Sequence, residues 1–93
     1  MESEIKYIRE FLQEMKDEEV VIIGNEREME EMIWEGVKNG RITVDHLCGI
    51  IEEVLSVAKS PVDIKSLVDK AVDMSVRGLD AGSIGKLLKA KIG

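Results

Sequence analysis

Apolar residues recur at helical spacing along most of the chain. In the first segment one side of a helix collects Ile5, Ile8, Phe11, Leu12 and Met15, with Tyr7 at its edge. Charged residues such as Lys6, Glu10 and Glu14 lie outside this arc. This pattern predicts an amphipathic helix from about Glu4 to Asp17.

A second stripe follows the pair Gly24-Asn25, in which asparagine is a natural N-cap. The stripe contains Met29, Met32, Ile33, Gly36 and Val37, and it ends at Asn39-Gly40. Trp34 does not belong to the stripe, because ideal helical geometry places it roughly 130° from the stripe centre. We therefore predict a second helix that carries its tryptophan away from the core.

The third predicted helix is the most apolar in the chain. Thr43 is a natural N-cap, and Ile42 with Leu47 has the spacing of a hydrophobic staple. About half of the cylinder, up to about Lys59, is then covered by Val44, Leu47, Cys48, Ile50, Ile51, Val54, Leu55, Val57 and Ala58. Such a helix must contact several neighbours.

Two further helices are predicted in the last third of the chain. Ser60-Pro61 reads as a cap followed by proline at the first helical position, with Asp63 completing a capping box. The wide apolar face that follows contains Ile64, Leu67, Val68, Ala71, Val72, Met74 and Val76. Gly78 is the expected left-handed stop, and Asp80 caps a final helix with Ile84, Leu87, Leu88 and Ile92 on its apolar side.

The segment VVIIGN, at 20–25, does not continue the first helix, because its apolar residues would scatter around all sides. A short strand is one interpretation, with RITV at 41–44 as its partner, but an isolated two-stranded ribbon is marginally stable. We therefore expect a helical or irregular link that packs on the core, with the choice for 18–25 left open.

These elements predict an all-α fold, a compact bundle of four to five short, mostly antiparallel helices in a single domain covering 1–93. Composition agrees with this class. Thr43 is the sole threonine, Pro61 is the sole proline, and Trp34, Tyr7 and Phe11 are the only aromatics. A β-sandwich or barrel is not expected from so few strand-forming residues.

Cysteine usage and hydropathy point to the cytoplasm. Cys48 is the single cysteine and has no partner for an internal disulfide. No apolar run reaches the roughly 18 residues of a membrane span, and none follows the signal-peptide pattern. Three amide side chains stand against 32 charged ones, which hints at a thermophilic source.

The net charge of −6 is unevenly distributed. Residues 1–35 contain 12 acidic and 4 basic side chains, whereas residues 61–93 contain 4 acidic and 6 basic ones. An acidic solvated surface explains the first part. The second part leaves room for a basic face near the C-terminus.

That basic face is the basis of an alternative function, contact with nucleic acid through Arg77, Lys86, Lys89 and Lys91. Four basic groups without a neighbouring aromatic predict only weak, salt-sensitive phosphate binding. A helix-turn-helix needs a recognition helix after the turn, and we expect none after the final helix that Asp80 caps. A phosphate-binding loop is not expected, because Asp80 stands at the position, six residues before Lys86, where such a loop requires glycine.

The stretch VRGLDAGSIGKLLKAKI, at 76–92, resembles the C-terminal helical tail domain of tRNA-dependent amidotransferases and their free-standing relatives. That family's pattern is V-x-G-x-x-D followed by I/V-x-x-L-L-K, and the matching positions here are Val76, Gly78, Asp80 and 84–89. Gly78 and Asp80 are separated by one residue instead of two. The resemblance implies contact with tRNA or with an enzyme partner.

The chain lacks a recognisable constellation for catalysis or metal binding. His46 and Cys48 lie two positions apart, so they point about 160° away from each other on a helix and cannot bind one ion together. No serine, histidine and acid form a hydrolase motif. We expect no enzyme activity, catalytic residue, cofactor, metal or small-molecule ligand.

Apolar surface is the remaining feature of the sequence that indicates a function. Five methionines, a tryptophan outside its helix stripe and two wide helix faces exceed what a small monomer easily buries. We therefore expect a small protein–protein interaction or oligomerisation module, a homodimer or an adaptor for another protein. The residues predicted to form the interface are Trp34, Met29, Ile33, Val37, Ile5, Ile8 and Leu12.

Overall fold

The computed structural model describes residues 2–17, 22–23 and 25–92, and these residues form an all-α bundle. The helices are α1 (Glu2–Asp17), α2 (Glu26–Asn39), α3 (Val44–Val57), α4 (Ile64–Val76) and α5 (Ala81–Ile92). Two short strands, β1 (Ile22–Ile23) and β2 (Val62–Asp63), precede α2 and α4. The predicted fold class is thus confirmed.

Helix starts follow local hydrogen-bonding rules. Asn25 accepts the Glu28 N–H at 2.9 Å, Thr43 accepts the His46 N–H at 3.4 Å, and Asp80 accepts the Ser83 N–H at 2.7 Å. Each side chain thereby satisfies an amide that has no partner inside its helix. The N-caps predicted at these three positions are confirmed.

The end of α4 is also as predicted. Gly78 has a φ of 97°, which non-glycine residues rarely adopt. Its N–H donates to the Ser75 carbonyl and the Leu79 N–H donates to the Met74 carbonyl, both at 3.1 Å. This pair of bonds is a Schellman motif, and it turns the chain directly into α5.

The start of α4 differs from the prediction. Ser60-Pro61 lies outside the helix, and Asp63 itself is the N-cap, with its carboxylate accepting from the Lys65 and Ser66 amides. The intervening residues are extended because β2 pairs in parallel with β1, Ile22 opposite Val62 and Ile23 opposite Asp63. The expectation of a helical or irregular link was therefore wrong at 22–23, and RITV is not the strand partner. Residues 18–21 and 24 lie outside the described residues.

Helix α3 is the hub of the bundle. It contacts α1, α2, α4 and α5, most extensively α5. Its buried side chains are Leu47, Cys48, Ile50, Ile51 and Val54. This agrees with the prediction that so apolar a helix needs several neighbours.

Gly36 allows two helices to approach closely, and Gly85 leaves room for a side chain of the neighbouring helix. An added Cβ at Gly36 in α2 would lie 2.9 Å from Val72 Cγ2 in α4, and one at Gly85 in α5 would lie 2.7 Å from Glu53 Oε2 in α3. From Gly36 to Gly40 these contacts advance along α4 from Val68 towards Ser75, so α2 and α4 run in the same direction. The strands β1 and β2, which precede α2 and α4, also run parallel to each other.

The chain measures 33 × 32 × 17 Å, and its shortest dimension accommodates two layers of helices. The predicted α4 face differs only in its last turn, where Ser75 is buried and Val76 is 51% exposed. Among the described residues, no helix has both the length and the apolar composition needed to cross a bilayer.

Candidate interaction surfaces

Four of the seven residues predicted to form an interface belong to the chain's own core. Ile8, Leu12, Met29 and Ile33 are at most 5% exposed. They lie where α1 and α2 pack against each other and against α3, so their side chains are not accessible to a second molecule. This part of the interface prediction is corrected, because the apolar stripes of α1 and α2 are covered within one chain.

The other three predicted residues, Ile5, Trp34 and Val37, remain partly exposed. Ion pairs fix how α1 and α2 lie: Lys16 Nζ is 3.3 Å from Glu26, and Arg9 Nε is 3.0 Å from Glu30. The two helices are therefore antiparallel, and one further turn places Ile5 level with Trp34 and Val37. We call this group, together with Lys38, the Trp34 patch.

Within the Trp34 patch the indole is partly buried against the edge of the core. Glu30, one turn earlier on the same side of α2, is held by Arg9 of α1, so α1 flanks the indole. Lys38 Nζ lies 5.9 Å from the ring centroid and 3.2 Å from a Glu35 carboxylate oxygen. Lys38 therefore lies over one face of the ring, and part of the indole stays accessible.

The basic residues of the alternative function are partly neutralised. Arg77 Nε is 3.2 Å from Asp73, and Lys89 Nζ is 3.5 Å from Glu53. Lys86 and Lys91 are exposed and form no ion pair with any described residue. Two of the four side chains are therefore ion-paired, and the charge of Lys86 is partly offset by Asp80, whose pKa is lowered by hydrogen bonds from Ser83 and, to a smaller extent, by Lys86.

A groove between α1 and α3 was not foreseen in the sequence. Its rim carries Tyr7, Glu10 and Glu14 from α1, and Gly49 and Glu52 from α3. Its floor is formed by the buried Phe11 and Cys48, and its volume is about 140 Å³. We call it the α1–α3 groove. The only signal for it in the sequence is the position of Tyr7 at the edge of the α1 arc.

The groove is electrostatically negative. Partial burial raises the pKa of the Tyr7 phenol above 10.0, and the Cys48 thiol and the carboxylates of Asp45, Glu14 and Glu52 raise it further. Burial, with help from Asp45 and Glu52, raises the pKa of Cys48 to about 12. Cys48 thus stays a neutral thiol at physiological pH and is a poor nucleophile.

Two larger hollows are open and shallow. One, of about 350 Å³, lies between the β2 segment and α5 near Lys70 and Lys91. The other, of about 360 Å³, lies between the α2–α3 connection and the start of α5, near Arg41 and His46. Asp63 and Asp80 cap the helix starts at these hollows, so their carboxylates already occupy the amides that an anion would use.

In the described ranges 2–17, 22–23 and 25–92, no three His, Cys, Asp or Glu side chains are arranged to hold a metal ion. The chain was also compared with known proteins. No family model matches it, no curated protein is similar to it, and no solved structure matches its fold.

Proposed function

We propose that this protein is a protein–protein interaction module that self-associates through the Trp34 patch. The observation that carries the proposal is the position of Trp34, the only tryptophan, which is partly exposed one turn from Val37 and level with the partly exposed Ile5 of α1. Tryptophan is the residue most enriched among the side chains that dominate binding energy in protein interfaces. Lys38 and Glu35 supply the polar rim that such surfaces have.

The size of the patch sets the expected strength of association. A standard interface covers about 800 Å² on each partner, and the accessible surface of this chain is 5906 Å². Three partly buried side chains provide only the centre of such an area. We therefore expect a weak homodimer whose population rises with protein concentration.

Light scattering on a concentration series of the wild type and of Trp34→Ala tests this proposal. The wild-type mass is expected to rise from 10.4 kDa towards twice that value, and Trp34→Ala is expected to shift this rise to at least tenfold higher concentration. Helix content from circular dichroism should change little, because the indole is at the edge of the core.

Tyr7→Ala is the matched control, since it removes the other exposed aromatic side chain from the opposite side of α1. It is expected to dimerise like the wild type. A wild type that stays monomeric at all concentrations, or equal losses in both variants, would contradict self-association through the Trp34 patch.

Contact with nucleic acid is the second candidate, favoured by the exposed and unpaired Lys86 and Lys91. It predicts binding of a labelled tRNA at low salt that weakens steeply as salt rises and is lost in Lys86→Gln/Lys91→Gln. No binding at low salt removes this candidate. In either role we place the protein in the cytoplasm, where the single free thiol of Cys48 is compatible with the reducing environment.

A further inference from the structure

Gly49 differs from Gly36 and Gly85 because no packing contact explains why it lacks a side chain. Gly36 is needed because the side chains of Val72 and Val68 would collide with a Cβ, and a Cβ at Gly85 would meet the carboxylate of Glu53. At Gly49, in the middle of α3 and exposed, nothing lies within 4 Å of a Cβ position. Glycine is a poor helix former, so the packing of this chain alone does not account for it.

The surface around Gly49 is bare and partly apolar. Tyr7 is 44% exposed beside it, and the buried Phe11 and Cys48 close the α1–α3 groove from below. Without a side chain at position 49, the α3 backbone is open to close approach. A volume of about 140 Å³ is below the 300–1,000 Å³ of typical small-molecule pockets, and it suits one long side chain.

The rim supplies charge that the chain itself does not compensate. Among the described residues Glu14 and Glu52 form no ion pair, and Glu10 has only a 4.0 Å contact with Lys6. Of the five carboxylates of α2, Glu26, Glu30, Glu31 and Glu35 are paired and Glu28 forms no ion pair with a described residue. Glu10 and Glu14 stand one turn apart on α1, with Glu52 across the groove.

We propose that the α1–α3 groove docks a basic segment of a partner protein. One lysine or arginine of that segment lies with its aliphatic stem over Tyr7 and Gly49, and its charge meets Glu14 and Glu52. A second basic residue one turn away on the partner faces Glu10. This docking is independent of self-association through the Trp34 patch, which lies on the other side of α1.

A foreign partner fits this surface better than a second copy of the chain. The unpaired lysines of α5, Lys86 and Lys91, are five positions apart and therefore about 140° apart around the helix. They cannot face Glu10 and Glu14 together. A contact between the groove of one copy and the α5 of the next would join two different surfaces, so it would build a ring or a filament of many copies, whereas a foreign partner needs only a one-to-one complex.

The test is fluorescence anisotropy with a labelled alanine-based helical peptide that carries arginines four residues apart. Saturable one-to-one binding is expected at low salt. The double variant Glu14→Gln/Glu52→Gln is expected to weaken it at least tenfold, whereas Glu28→Gln/Glu31→Gln, with the same net charge but changed on α2, should bind like the wild type. Equal weakening by both double variants would reduce the effect to net charge and overturn the proposal.

Gly49→Ala separates docking from folding. The new methyl group has free space in the isolated chain, so thermal stability should rise, while peptide affinity should fall several-fold because the methyl group occupies the groove. Unchanged affinity, or the absence of saturable binding by the wild type, overturns the proposal. Displacement of the peptide from the wild type by an excess of the Glu14→Gln/Glu52→Gln variant, whose own groove no longer binds the peptide, would assign the groove to a second copy and overturn the choice of a foreign partner.

Discussion

At the scale of single residues, Cys48 is a neutral core side chain in spite of its chemistry. It is 1% exposed, and its pKa is raised to about 12 from the ordinary 9.0. The Cys48 thiol therefore stays protonated in the folded state over a pH range in which the same thiol ionises in the unfolded chain. The contribution of this pKa difference to the free energy of unfolding is complete below pH 9 and is lost as the pH rises towards 12.

Cys48→Ala should remove this pH dependence. Because one pKa unit corresponds to 1.36 kcal/mol, the thiol accounts for a loss of about 3 kcal/mol in the free energy of unfolding between pH 8 and pH 11. Urea unfolding at the two pH values measures it, with the variant expected to lose correspondingly less than the wild type. Parallel losses in both proteins would show that Cys48 ionises freely in the folded state.

Ser75 is buried although it is polar, because its position in the helical repeat places it on the inner side of α4. Its position, four after Ala71 and seven after Val68, puts it on the buried side of α4, whereas the more apolar Val76 faces solvent. The Ser75 hydroxyl donates to the Val72 carbonyl at 2.7 Å and accepts the Arg41 N–H at 3.1 Å. It thereby ties α4 to the connection between α2 and α3.

Ser75→Ala is expected to destabilise the fold by about 1–3 kcal/mol, because the Arg41 amide loses its partner in a partly buried site. Ser56→Ala is the control, since the Ser56 hydroxyl bonds the Glu53 carbonyl on the exposed side of α3. Chemical denaturation of both variants gives the comparison. A Ser75→Ala variant as stable as Ser56→Ala would mean that water replaces the hydroxyl at no cost.

At the scale of elements, two exposed glycines with equally free surroundings should respond oppositely to alanine. Gly49 is in regular helix, so Gly49→Ala should stabilise the chain by up to about 1 kcal/mol. Gly78 has positive φ, so Gly78→Ala should cost about 1–2 kcal/mol. Neither Cβ would meet an atom within 4 Å, which leaves backbone conformation as the difference. Melting temperatures that shift in the same direction would contradict this account.

Helix boundaries were predictable wherever they depend on residues close in sequence. Caps at Asn25, Thr43 and Asp80 and the stop at Gly78 need only local hydrogen bonds. The strands were not predictable in the same way, because pairing of Ile22 with Val62 joins residues forty positions apart. That pairing keeps Val62 extended and moves the start of α4 past Pro61 to Asp63.

At the scale of the whole molecule, apolar periodicity predicted most of the buried side chains but not what buries them, and it placed Val57, Val76 and Leu87 on apolar faces although all three are exposed. The stripes of α1 and α2 cover each other with α3, so Met29 and Ile33 are core residues and no longer candidates for an interface. The α1–α3 groove depends on how two helices lie side by side, which no single helix pattern contains. Of the predicted interface residues, Trp34, Ile5 and Val37 remain partly exposed, and Trp34 is the one whose sequence position already placed it outside its helix stripe.

The central claim is that the Trp34 patch is a contact surface between two copies of the chain. Because Trp34 is the only tryptophan, intrinsic fluorescence reports on this patch alone. The most direct measurement is the wavelength of maximum emission across a dilution series. We expect a shift to shorter wavelength as concentration rises and the indole loses contact with water; an emission maximum that stays constant over the whole series would contradict the claim.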